Sequence, residues 1–179
     1  MLDRRQFLGT AFAKALLPKS TFAQQDVLSA FTNYDTGQPF YTSKPSLVAV
    51  FMTAQQMYSS CGELFLYANA EVEEIQGGSR NIEKVMIMPP RVNQSHPSED
   101  RNLGSARASD FKILTADIQT TLDVSRQIAG RPVFAFENGK ITGHSQKAFF
   151  YSRKDGRNFE FDPASNPFAN DLYEGLQRF

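Results

Sequence analysis

The least interrupted apolar stretch of the chain is Ser46 to Thr53 (SLVAVFMT). Without the polar alternation of a half-exposed strand, it predicts a central strand covered on both faces. Leu64, Ala68, Val72 and Ile75 then recur at helical spacing, behind a Ser60-x-x-Glu63 capping box and ahead of Gly77-Gly78, so a helix follows the strand. Val85 to Met88 reads as a second short strand, stopped by Pro89-Pro90. Arg91 to Asp110 is polar; Pro97 then Ser98 offers a helix start, although the apolar periodicity behind it is weak. Phe111 to Leu114 is a third strand. Asp117 caps a helix with Ile118, Leu122, Ser125 and Ile128 on one face, and Gly130 then Pro132 stop it.

Turn residues mark the remaining elements. Phe31 to Phe40 predicts a small hairpin around Asp35 to Gly37, and Pro132 to Thr142 a second one around Asn138-Gly139. Ala148 to Ser152 and Asn158 to Phe161 flank Lys154-Asp155-Gly156-Arg157 as a third, and Leu172 to Phe179 suits a closing helix. Strands alternating with helices argue for a layered α/β sandwich around a mixed sheet. Its expected core includes Leu47, Val48, Val50, Phe51, Val85, Ile87, Ile113, Leu122, Ile128 and Phe149.

Composition narrows the function. The 179 residues suit one domain, and no apolar run reaches the roughly 20 residues that span a bilayer. Lys and Arg total 19 against 19 Asp and Glu, with no basic cluster to neutralise a row of phosphates, which argues against a nucleic-acid partner. Cys61 is the single cysteine, so neither an intrachain disulfide nor a zinc site built on several thiolates can form.

The amino terminus reads as an address rather than as part of the fold. Asp3-Arg4-Arg5-Gln6-Phe7-Leu8-Gly9, the weakly apolar Thr10 to Leu17 and then Thr21-Phe22-Ala23 resemble a twin-arginine export signal. Residues 1–23 would be removed and 24–179 would form the mature domain in the periplasm; an ordinary amphipathic helix is the alternative. Four basic residues and one acidic residue lie before Gln24, so the remainder carries 15 basic against 18 acidic side chains. An unpaired thiol outside the cytoplasm tends to be oxidised or held by a metal or partner.

Cys61 falls in the first turn of the helix after the central strand, where unpaired backbone N–H groups and the helix dipole favour a thiolate. Met57 precedes it in the spacing Met57-x-x-x-Cys61, and His96 and His144 are the only histidines. Thiolate and thioether are soft ligands that select Cu(I), and imidazole also suits copper. Taken singly, a structural thiol, a core methionine and a surface histidine account for the same residues.

A wider set of residues points to one family. Tyr34-Asp35-x-Gly37, the strand Leu47 to Thr53, a loop ending in Cys61-x-x-Leu64, Ser95-His96-Pro97-Ser98-Glu99, Phe111-x-Ile113-Leu114-Thr115 with the Asp117 helix, and Gly143-His144-Ser145 with Tyr151 and Asp155-Gly156-Arg157 together resemble the Sco/SenC family. The similarity runs from about Phe31 to Phe161. It implies a thioredoxin-like three-layer α/β sandwich with a mixed central sheet and inserted hairpins. It also implies a periplasmic or membrane-associated protein that delivers copper to a recipient such as cytochrome oxidase or acts on thiols. The family site is a Cys-x-x-x-Cys pair plus a distant histidine; Cys61 matches the second cysteine and His144 the histidine. Met57 stands where the first cysteine belongs, Gly62 where a proline follows the second, and Gly143 where an aspartate precedes the histidine. Dithiol–disulfide cycling within the chain is therefore ruled out. The implied site is Cys61 thiolate, His144 imidazole and Met57 thioether holding Cu(I) less tightly than two thiolates would.

Two other readings stand beside this metallochaperone-like, non-enzymatic one. A single-cysteine thiol reductase or peroxidase would use Cys61 as nucleophile and an external thiol as resolving partner, without metal. A non-catalytic interaction module would keep only the scaffold.

Overall fold

The computed structural model describes residues 26–52, 60–74, 78–90, 97–138 and 140–161. In chain order the elements are β1 (Thr32–Asn33), β2 (Ser46–Phe51), α1 (Ser60–Glu74), the single helical turn α2 (Gly78–Asn81), β3 (Ile82–Met88), α3 (Pro97–Ala108), β4 (Lys112–Thr115) and α4 (Ile118–Ala129). Four strands follow: β5 (Phe134–Glu137), β6 (Lys140–His144), β7 (Ala148–Ser152) and β8 (Asn158–Phe161). The predicted export segment 1–23 and the closing helix at Leu172 to Phe179 lie outside the described residues.

Six strands form one mixed sheet in the order β1-β4-β3-β2-β7-β8. β2, β3 and β4 are mutually parallel, while β7 runs antiparallel to β2, β8 to β7 and β1 to β4. β2 therefore has a hydrogen-bonded neighbour on each side and helices over both faces, and Leu47 to Phe51 are all fully buried. That environment selects the unbroken apolar run read from the sequence. The β5–β6 hairpin forms a separate two-stranded sheet, the inserted hairpin expected at Asn138-Gly139, and Asn138 takes the positive φ of 49° that its turn requires.

Side chains alternate across the pleat and build two cores. On one face Val48, Val50, Met86, Met88 and Phe150 pack against Leu64, Phe65, Ala68 and Val72 of α1 and Leu103 and Ala106 of α3. On the other, Leu47, Ala49, Phe51, Val85, Ile87 and Phe149 pack against Val124 and Ile128 of α4, Leu28, Phe31 and Phe40 of the amino-terminal segment, and Val133 and Phe134. Helix, sheet and helix-plus-hairpin are the three layers. Nine of the ten expected core residues are buried, and Leu122 is partly buried against the second core.

Two details depart from the expectations, and the helix start offered by Pro97 is borne out. β3 starts at Ile82, three residues early, because two charged residues inside it are buried and paired. Glu83 accepts from Thr42 Oγ1 (2.7 Å) and lies 3.5 Å from Lys44 Nζ, while Lys84 Nζ donates to Asn69 Oδ1 (2.5 Å) and lies 3.5 Å from Glu73. The weakly periodic stretch after Pro97 is a full helix, anchored by Leu103 and Ala106. The buried face of α4 is Thr121, Val124, Ser125 and Ile128: Ser125 and Ile128 are as expected, while Thr121 and Val124 are buried in place of Ile118 and Leu122.

Candidate functional site

β2 leaves the sheet at Phe51, and the Met52 N–H still donates to the Ile87 carbonyl (3.1 Å) one step beyond. The chain returns as α1, so Cys61 lies in the first turn of the helix that follows the central strand, as the capping pattern predicts. The side chains of Cys61, Ser60 and Glu63, and Met57 and His96 altogether, lie outside the described residues.

His144 comes from the opposite direction in the sequence. It ends β6, facing Phe134 across the hairpin, and the next N–H, that of Ser145, donates to the Val133 carbonyl (2.8 Å). Three residues on, β7 opens beside the close of β2, with Ala148 paired to Val50. Because β7 is antiparallel to β2, its beginning and the end of β2 share one end of the sheet. The hairpin ending in His144 thus leads into the sheet at the end where β2 closes, the end from which the chain goes on to the helix carrying Cys61. His144 belongs to the end of the β5–β6 hairpin, ahead of the β7–β8 hairpin.

Aromatic packing fixes the hairpin there. The Phe134 ring meets Phe51 edge to face with centroids 5.8 Å apart at 86°, and Phe51 meets Phe149 at 5.5 Å and 65°. A register shift between Ala135 and Phe136 leaves Ala135 opposite Gly143 but Phe136 opposite Ile141, so Thr142 is an extra residue on β6. Without that bulge His144 would fall one position out of register, on the other face from Phe134. The link to β7 is tied by Lys147 Nζ, 2.7 Å from Glu160 Oε1 on β8; Arg131 pairs with the same carboxylate and lies over the Phe149 ring at 5.6 Å.

Burial of His144 lowers its pKa below the ordinary histidine value, because the charged form is poorly solvated there. At neutral pH the ring is therefore uncharged, the form with a lone pair to ligate a metal or accept a proton. Among the described residues no group of three or more His, Cys, Asp or Glu side chains is disposed to hold a metal ion. The supporting residues Phe134 and Phe51 and the bulge at Thr142 were not read from the sequence as part of the site. The hairpin signal at Asn138-Gly139 was the available pointer to them.

No protein-family model matches the chain, and no curated protein matches its sequence. Solved structures do. A structure of BsSco, a member of the Sco family of cytochrome c oxidase assembly proteins described with a disulfide switch, superposes with TM-score 0.54 at 13% identity, covering 82% of this chain and 88% of that one. Copper-bound yeast Sco1 gives TM-score 0.53 at 10% identity, covering 87% of this chain and 81% of its own. The Xanthomonas campestris bacterioferritin comigratory protein, described for alkyl peroxide reduction, gives 0.52 at 13% identity over 87% of this chain and 92% of its own. What this chain has in common with all three is the thioredoxin-like fold.

Proposed function

We propose that the chain is a divergent member of the Sco family, exported to the periplasm, that binds Cu(I) and passes it by ligand exchange to a recipient such as cytochrome oxidase. Cys61 supplies the thiolate, His144 the imidazole and Met57 a weaker thioether. One observation carries this reading. The end of β6 bearing His144 lies at the same end of the sheet as the passage from β2 into the helix bearing Cys61, and burial keeps that imidazole neutral. Ligand exchange needs no electron transfer, which suits a site with a single thiol.

Competition of the purified chain with a chromophoric Cu(I) chelator tests it. Wild type is expected to take up stoichiometric Cu(I), Cys61→Ser to lose it, His144→Ala to weaken it, and Met57→Ala to weaken it less. Equal binding by wild type and Cys61→Ser overturns the copper reading.

The likeness to the Xanthomonas campestris protein supports a second reading, in which the Cys61 thiolate attacks an alkyl peroxide. The O–O bond would break, leaving a sulfenic acid and an alcohol, and two equivalents of an external thiol would restore the thiolate with release of water. Cys61-dependent peroxide consumption without metal would favour it; under the copper reading none is expected above background.

The export route rests on Arg4-Arg5-Gln6-Phe7-Leu8. Replacing Arg4-Arg5 by Lys-Lys is expected to leave the chain in the cytoplasm, read by fractionation, and unchanged export excludes the twin-arginine route.

A further inference from the structure

Cross-strand partners share one face of a hairpin. His144 is the partner of Phe134, and the Phe134 ring, 7% exposed, rests edge-on against Phe51, the last residue of β2. The hairpin forms its own sheet and has no ladder of backbone hydrogen bonds to the six-stranded one. Its outer part is solvated: Ala135 to Asn138 are exposed, and Phe136 keeps 49% of its surface. At its base Val133 and Phe134 are buried in the core, and Ile141 of β6 packs against it partly buried. The position of His144 relative to the end of β2 thus depends on side-chain packing at the hairpin, the Phe134–Phe51 contact included, and on the short link to β7, rather than on sheet pairing within the hairpin.

We propose that Phe134 is a positioning residue for His144, its edge-to-face contact with Phe51 holding the β5–β6 hairpin so that the imidazole stays at the end of β2 where the Cys61 helix begins. The role rests on the copper reading for its consequence, because a ligand is useful only where the other ligands are. It rests on packing alone for its geometry. Groups that orient a ligand typically cost about 10- to 100-fold in metal affinity when removed. Phe134 never touches the metal in this scheme and acts only through His144.

The test is a double-mutant cycle on the full chain, read by Cu(I) competition, together with amide hydrogen exchange. Phe134→Ala is expected to weaken Cu(I) by about tenfold or more. Phe134→Tyr, which keeps the ring, is expected to restore near-wild-type affinity. In the His144→Ala background Phe134→Ala should add almost nothing, since the group it positions is gone. Leu103→Ala, a cavity in the core on the other side of the sheet, controls for general destabilisation and should leave affinity unchanged. Without copper, Phe134→Ala should speed exchange of the Ser145 amide while β2 amides keep their protection.

The outcomes separate the two claims. If wild type binds no Cu(I), or His144→Ala binds as wild type does, the copper reading fails and exchange at Ser145 decides the positional claim. If Phe134→Ala leaves that exchange unchanged, or weakens copper equally with and without His144, the positioning role is wrong even though the copper site stands.

Discussion

Lys84 shows how a charge can sit inside a strand of this protein. Its side chain is 5% exposed, yet its carboxylate partners Glu73 and Asp110 are 51% and 70% exposed, so the chain runs through apolar surroundings and delivers its ammonium to the rim. Asp110 reflects the proximity: burial raises its pKa, but the hydrogen bond and charge of Lys112 and the charge of Lys84 bring it below the usual carboxylate value. Removing Lys84 would leave hydrated carboxylates behind, not a buried orphan, so most of its contribution is packing by the stem. Lys84→Met is expected to change stability by no more than about 1 kcal/mol, and Lys84→Ala to cost about 1–3 kcal/mol, both measured by urea unfolding. A loss as large for Met as for Ala would show that the charge itself matters. This residue also explains why the start of β3 was not legible: Ile82-Glu83-Lys84 reads as a polar boundary unless the partners on α1 and the 42–44 segment are known, and those are distant in sequence.

Among the elements, α4 was the most legible because both its ends are written locally. Asp117 accepts from the Thr120 N–H (2.9 Å), and Gly130 ends the helix at φ 68°. Asp117→Ala is expected to lower stability, because the Thr120 N–H loses its side-chain acceptor. Gly130→Ala is expected to cost about 1 kcal/mol or more, since the left-handed conformation disfavours a side chain and the new Cβ would lie 3.2 Å from Asn158 Oδ1. The two lie at opposite ends of the helix, so thermal melts of the double variant should show near-additive losses. β2 and the start of α1 were legible for similar reasons, a continuous apolar run and a capping pattern. The site was legible only in halves. The place of Cys61 in the first helical turn follows from local signals. The approach of the hairpin bearing His144 to the end of β2 depends on β7 pairing with β2 and on Phe134 meeting Phe51, contacts between segments that no local spacing encodes.

For the whole molecule, the half-buried imidazole of His144 makes folding pH-dependent with a definite sign. An unfolded histidine titrates near 6.5, and His144 in the folded protein titrates below that because burial disfavours its charged form. Between those two values the unfolded chain binds more protons, so stability rises with pH there. It is complete above the unfolded value and is lost as pH falls toward the folded one. Unfolding free energies measured between about pH 5 and 7.5 should therefore fall on acidification, with a shallower slope in His144→Gln. Equal slopes would mean that His144 is as well solvated folded as unfolded.

The antiparallel insertion of β7 beside β2 has a consequence for synthesis. The parallel strands β2, β3 and β4 can assemble from successive strand-helix units as the chain emerges, but the neighbour on the other side of β2 arrives only after β5 and β6 have been made. Such a sheet is completed by its most distant pairing, the slow kind to form. A nascent chain carries its thiol long before it carries the imidazole that would share a metal ion with it. Metal uptake by this arrangement would report that the whole domain has closed, and a chain cut short before β6 would offer the Cys61 thiolate and the Met57 thioether without the His144 imidazole.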